Sequence, residues 1–191
     1  TRDSIASLES KAITVKQPPS DQNKTLSDSA KIESNLSDSV KIALEKEKFG
    51  DFYSASEGKE ELITLENSKL KVVVSSKGGK IRKAELKDYK TWDGKPVNLM
   101  NSDSSVFNLA FSAGNKVINT SSLFFEVKPT TGSSNSATFQ VNAGEGRYLE
   151  FNYTLAADSY LLNFSIKTVG LQDVISQNAT YLNLDWKEAL I

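Results

Sequence analysis

The segment Ser75-Ser76-Lys77-Gly78-Gly79-Lys80-Ile81-Arg82-Lys83 follows directly on Val72-Val73-Val74. A glycine pair ahead of a lysine is one way to hold a phosphate, with backbone N–H groups around the anion and the ammonium against it. That chemistry requires Gly-x-x-x-x-Gly-Lys-Ser/Thr. Here Val74 stands where the first glycine should be, and Lys80 is followed by Ile81. Both ends of the motif fail, and no helical pattern follows. What the pair does supply is freedom to adopt positive φ, so Gly78 and Gly79 are expected to turn the chain between two strands.

Other chemistry is limited by what the chain lacks. It contains no His and no Cys, which excludes Ser-His-Asp triads, thiol nucleophiles, disulfides and His or Cys zinc sites. Glu145 and Glu150 flank Gly146-Arg147, but two nearby acids do not make a glycosidase pair, and Glu150 falls on the polar face of an expected strand. No catalytic, metal or cofactor-binding residue is assigned, and no cofactor is expected. Residues 69–95 hold nine Lys or Arg against three Asp or Glu. Within them Lys77, Lys80, Arg82, Lys83, Lys87 and Lys90 are candidates for contact with anionic lipid headgroups or with a partner. The competing explanation is solvated strand faces and edges kept from aggregating by lysine. Aromatics at alternate strand positions are assigned to the core. Trp92 is the exception, an indole in a turn and free to bind something.

These side chains must be positioned by strands. Residues 1–48 contain no aromatic, whereas 14 of the 17 aromatics lie in residues 61–191. The first stretch is too polar to offset its chain entropy and is expected to be a flexible tether, with a domain over 49–191. Within the tether Leu26–Ile32 is nearly repeated as Leu36–Ile42. A short helix is expected over the second copy, with Ser37 or Asp38 as N-cap and Gly50 as the stop. No apolar run exceeds three residues, so nothing in the chain is long enough to cross a bilayer as a helix. The formal charge of −1 gives no reason to expect nucleic-acid binding.

From Glu61 onward the period is two. Leu70, Val72 and Val74 alternate with Lys71, Leu123, Phe125 and Val127 with Phe124 and Glu126, and Ala137, Phe139 and Val141 with Thr138 and Gln140. Leu149, Phe151, Tyr153 and Leu155 are followed, after the hairpin loop Ala156–Ser159, by Tyr160, Leu162, Phe164 and Ile166. Further strands are expected at Leu62–Glu66, Lys80–Lys87, Val97–Met100, Val106–Phe111 and Thr180–Trp186. Turn sequences separate them at Trp92–Pro96, Ala113–Asn115 and Thr131–Ser133. The expectation is an all-β antiparallel β-sandwich of about ten strands.

The order of several short segments resembles one family. Lys48–Ala55 (KFGDFYSA), Thr64–Asn67 (TLEN), Ser75–Ile81 (SSKGGKI) and Glu85–Thr91 (ELKDYKT) are similar to the start of the periplasmic domain of YidC membrane protein insertases. Gly170–Ile175 (GLQDVI) and Leu182–Trp186 (LNLDW) resemble later parts of it. The resemblance implies a β-supersandwich related to galactose mutarotase, on the periplasmic side of the inner membrane. It implies a tether leaving a first transmembrane helix, and as partners the Sec translocon and nascent membrane proteins. The family's insertion groove lies in transmembrane helices, so no functional residue carries over. The alternatives are a carbohydrate-binding β-sandwich, for which Trp92 would be the stacking platform, and a surface adhesin module.

Overall fold

In the computed structural model the described residues are 38–100, 105–129, 134–175 and 182–188. The tether over residues 1–37, Ser37 as a cap, the turn Thr131–Ser133 and Thr180 as a strand start lie outside them.

The helix expected ahead of Gly50 is α1, Asp38–Phe49. Asp38 in its first turn and Lys46 and Lys48 in its last oppose the helix dipole favourably, and Gly50 at φ +57° ends it. Only Phe49 of this helix is buried. A 3-10 turn, Gly50–Ala55, then drives Phe52 into the core, fully buried and edge-on to Phe111 at 5.4 Å.

The remainder is antiparallel β. One sheet runs β1 (Leu62–Glu66), β2 (Leu70–Ser75), β3 (Ile81–Lys90), β4 (Pro96–Asn98) in spatial order. β5 (Val106–Ala113) and β6 (Lys116–Asn119) form a hairpin that joins β11 in a three-stranded sheet, ordered β11-β5-β6, with β11 spanning Asn183–Lys187. β7 (Glu126–Lys128), β8 (Ser136–Asn142), β9 (Tyr148–Leu155) and β10 (Leu162–Val169) form the third, ordered β10-β9-β8-β7. Period two becomes burial directly: Ala137, Phe139 and Val141 of β8, and Leu149, Phe151, Tyr153 and Leu155 of β9, are buried while their neighbours are not. Each Val, Leu or Phe among them contributes about 1.5–3 kcal/mol on leaving water.

Aromatics join the sheets. Phe151 on β9 packs on Phe125 at 4.8 Å, Phe164 of β10 at 5.3 Å and Phe107 of β5 at 6.0 Å, and Phe107 carries Trp186 of β11 at 5.4 Å. A polar tie adds to this. Asn67, in the β1–β2 turn, donates from Nδ2 to the carbonyls of Ala156 (2.6 Å) and Ser159 (2.7 Å), while its Oδ1 accepts from the amides of Lys69 (2.9 Å) and Leu70 (2.7 Å). Its side chain is fully used, and it binds the β1–β2 turn to the β9–β10 turn.

Three details differ from the sequence expectation. The alternation Leu123-Phe125-Val127 yields only the three-residue β7, because a 3-10 turn at Thr120–Ser122 precedes it and Leu123–Phe125 bond to irregular backbone instead. The Phe124 amide donates to Ala55 O (2.7 Å), the Phe125 amide to Ser76 O (2.8 Å), and Leu123 O accepts from Gly78 (2.8 Å). The β9–β10 loop runs to Leu161, since Leu155 pairs with Leu162, so Tyr160 is in a loop and not on a strand. β6 is the unforeseen strand, turned from β5 at Gly114-Asn115.

Candidate functional site

The β2–β3 connection is built around Gly78 and Gly79, at φ +74° and +63°. Both are buried. A Cβ on Gly78 would lie 3.1 Å from Ser121 Cα, and one on Gly79 would lie 2.5 Å from Phe151 Cδ2. The corner is thus pressed against the core, and Tyr153, itself buried, donates its hydroxyl to Gly79 O at 2.5 Å. Burial pushes the Tyr153 phenol up, so it is a neutral donor throughout the physiological range.

Past the corner, β3 carries an extra residue. Val74 pairs with Ile81 but Val73 pairs with Lys83, leaving Arg82 as a bulge. Arg82 shares a face with Lys80, two residues before it, and Lys77 of the corner joins them. These three cations line a groove of ≈ 610 Å³ with Glu60, Ser75, Ser121 and Asp185. Lys80 Nζ donates to Ser105 O at 2.5 Å. Ser75, fully buried, donates to Glu60 Oε1 at 2.6 Å and accepts from the Lys77 amide at 3.0 Å. Arg82 Nε stands 3.9 Å from Glu60 and Lys77 Nζ 5.2 Å above the Phe124 ring.

Lys83, Lys87 and Lys90 are not part of that groove. Lys83 pairs with Glu85 at 2.5 Å, and Lys87 with Glu66 at 2.8 Å and with Asn67 O at 3.0 Å. Lys87, hydrogen-bonded to Glu66 and attracting its charge, holds that carboxyl below its ordinary value. Lys69 pairs with Asp88 at 3.0 Å, and Tyr160 donates to the same oxygen at 3.1 Å; both lower the Asp88 carboxyl, Lys69 more.

Lys90 is exposed and lies at the base of the β3–β4 tip. There the Thr91 amide donates to Lys95 O (2.8 Å), the Gly94 amide to Thr91 O (2.9 Å), and Gly94 sits at φ +81°. Asp93 accepts from the Thr91 hydroxyl and pairs with Lys95 at 2.7 Å, Lys95 being the larger cause of its lowered carboxyl. Trp92 at the apex is 100% exposed.

Sequence reasoning missed one concavity. Leu70, Val72, Ile81, Ala84, Leu86, Leu99 and Leu162, with Tyr89 and Tyr160, line an apolar groove of ≈ 420 Å³. Tyr160, assigned from its spacing to an apolar strand face, is 43% exposed, and its ring lies 6.2 Å from that of Tyr89 at the groove's rim. The Asp158-Ser159 turn is legible as a loop, but nothing in the residue types shows that the loop runs on through Tyr160 to Leu161.

Residues 62–190 match the family model described as the YidC periplasmic domain. The chain is 35% identical over 189 residues to the membrane protein insertase YidC of Parabacteroides distasonis, covering 98% of this chain and 29% of that protein. It is 36% identical over 137 residues to that of Phocaeicola vulgatus (72% and 22%), and 30% identical over 175 residues to that of Cytophaga hutchinsonii (91% and 28%). The chain therefore spans less than a third of the length of these curated relatives. Among solved structures, the GalM/aldose epimerase homologue from C. elegans aligns over 51% of this chain and 42% of its own, at 14% identity and a TM-score of 0.32. A family match across two thirds of the chain, with relatives similar over most of the rest, shows that the chain belongs to the YidC periplasmic domain family, the non-catalytic periplasmic part of that inner-membrane insertase.

Proposed function

We propose that this domain serves an insertase that places and helps fold inner-membrane proteins, alone or with the Sec translocon, and that it acts as a docking module. The family match over residues 62–190 is the observation that carries the reading. Residues 1–48 are then the tether by which the domain, residues 49–191, hangs from a first transmembrane helix. Nascent membrane proteins and translocon components are its partners. Of the six basic residues singled out in the sequence, Lys77, Lys80 and Arg82 form the partner-facing group, because they share one groove. Lys83 and Lys87 are held by Glu85 and Glu66 and serve the sheet.

The groove is the size of a side-chain cluster and carries three cations against Glu60 and Asp185, so an acidic segment of a partner complements it. The test is Lys77→Glu with Arg82→Glu in the full-length insertase, its folding checked by a thermal melt. Co-purification of the translocon is expected to weaken by about tenfold or more, since reversed charge meets like charge at the contact. Retention at the unsubstituted level would remove the groove from partner docking.

A further inference from the structure

The β3–β4 tip has chemistry that its place in the fold does not use. From Lys87 to Pro96 every residue is exposed, so the hairpin extends past the core. Its apex is held in one shape by the Thr91–Lys95 and Gly94–Thr91 backbone bonds. On that fixed apex Trp92 is fully exposed and makes no ring contact or hydrogen bond with any described residue. An indole held there contributes nothing to packing, yet it is the side chain with the most apolar surface to bury and a donor at one end.

Its neighbours restrict what would cover it. Tyr89 is 53% exposed below the apex, and Lys90 and Lys95 flank Trp92. Asp93 is matched by Lys95, Asp88 by Lys69 and Glu66 by Lys87. Lys90 enters none of these pairs, so the apex carries one net positive charge. Trp, Tyr and Lys side by side on a protruding turn are the residues that settle at a bilayer's headgroup level, with the ring among the glycerol and carbonyl groups and the ammonium at the phosphates.

We propose that the β3–β4 tip is a membrane-interface contact, in which Trp92 enters the headgroup layer of a bilayer and Lys90 meets its anionic phosphates. This rests on the membrane-adjacent placement of the domain given above. One indole and one charge give weak binding in isolation. Held near the bilayer by a tether, the same contact becomes intramolecular and sets how the domain stands on the membrane.

Sedimentation of the 191-residue chain with phosphatidylglycerol or phosphatidylcholine vesicles reads the contact without altering any tryptophan. Binding to phosphatidylglycerol is expected, at least about fivefold tighter than to phosphatidylcholine, as one basic residue provides. Trp92→Ala should weaken it about seventyfold if half of a ~200 Å² indole surface leaves water at ~25 cal/mol per Å². Lys90→Glu, a change of two charge units, should weaken it about thirtyfold. In a Trp186→Phe background the emission of Trp92 should shift to the blue on the anionic vesicles. Equal binding to both lipids, no binding to either, or unchanged binding by Trp92→Ala overturns the proposal. So does an emission change saturable by soluble oligosaccharide and absent with vesicles, which would assign the indole to sugar stacking. If Lys77→Glu with Arg82→Glu keeps the translocon while Trp92→Ala loses vesicles, the groove is rejected and the tip stands; the reverse pattern rejects the tip alone.

Discussion

Gly79→Ala separates backbone strain from steric exclusion at the β2–β3 corner. At φ +63° an L-residue costs about 1–2 kcal/mol relative to glycine. The added Cβ would also stand 2.5 Å from Phe151 Cδ2 and 3.1 Å from its Cε2. That ring cannot retreat, since it is fully buried between Phe125 at 4.8 Å and Phe164 at 5.3 Å. Overpacking of this kind costs about 1–3 kcal/mol, giving a total of about 2–5 kcal/mol. Two other glycines isolate the contributions. Gly94 sits at φ +81° with nothing within 4 Å of a Cβ, so Gly94→Ala should cost only the backbone part. Gly58 has no positive φ but its Cβ would lie 2.8 Å from both Cβ and Cγ of Phe124, atoms that turning the ring does not clear, so Gly58→Ala should cost the overpacking part alone, about 1–3 kcal/mol. Urea titrations of the three variants provide the comparison. With an m-value of about 2 kcal/mol per M, Gly79→Ala should lower the midpoint by about 1–2.5 M. A midpoint for Gly79→Ala no lower than that for Gly94→Ala would falsify the steric argument.

Two further predictions concern the acids and the helix attachment. The carboxyls of Glu66, Asp88 and Asp93 are held below ordinary values of 4.5, 3.8 and 3.8 by Lys87, Lys69 and Lys95; because the unfolded chain then protonates first, their stabilisation is complete above those values and is lost as pH falls through the lower folded ones. Urea midpoints should therefore fall between about pH 6 and about pH 3, and Asp88→Asn should narrow that difference; an acid limb identical in wild type and variant contradicts the assignment. Phe52→Ala empties a fully buried site at a cost of about 3–5 kcal/mol. As Phe52 anchors the 3-10 turn that holds α1, limited proteolysis should speed up within residues 38–49, and an unchanged cleavage rate there would show that α1 is held by something else.

The strands that alternate cleanly were legible. β8, β9 and most of β10 pair along nearly their whole length, so a half-buried sheet face is written as period two. β6 escaped because Lys116–Asn119 has only four residues, with Val117 exposed and Ile118 buried side by side in type. The candidate site was harder. Six basic residues close together in sequence separate in space because Lys83 and Lys87 are drawn to Glu85 and Glu66 and Lys90 lies at the far end of β3, and nothing in the residue types announces those pairings. Trp92 was legible as a turn residue, since Asp93-Gly94 marks the turn, but its complete exposure depends on how far β3 extends past the core.

Asn67 has a consequence for how the domain comes apart. Four hydrogen bonds converge on one side chain, two from its own turn and two to the turn between β9 and β10. Opening either hairpin strands donors and acceptors in the other, at about 1–3 kcal/mol for each group left unpaired. The first and third sheets are thereby latched at their turns and melt as a single cooperative unit, while fraying is left to segments outside the latch, among them the β3–β4 tip, which can meet a neighbour without loosening the core.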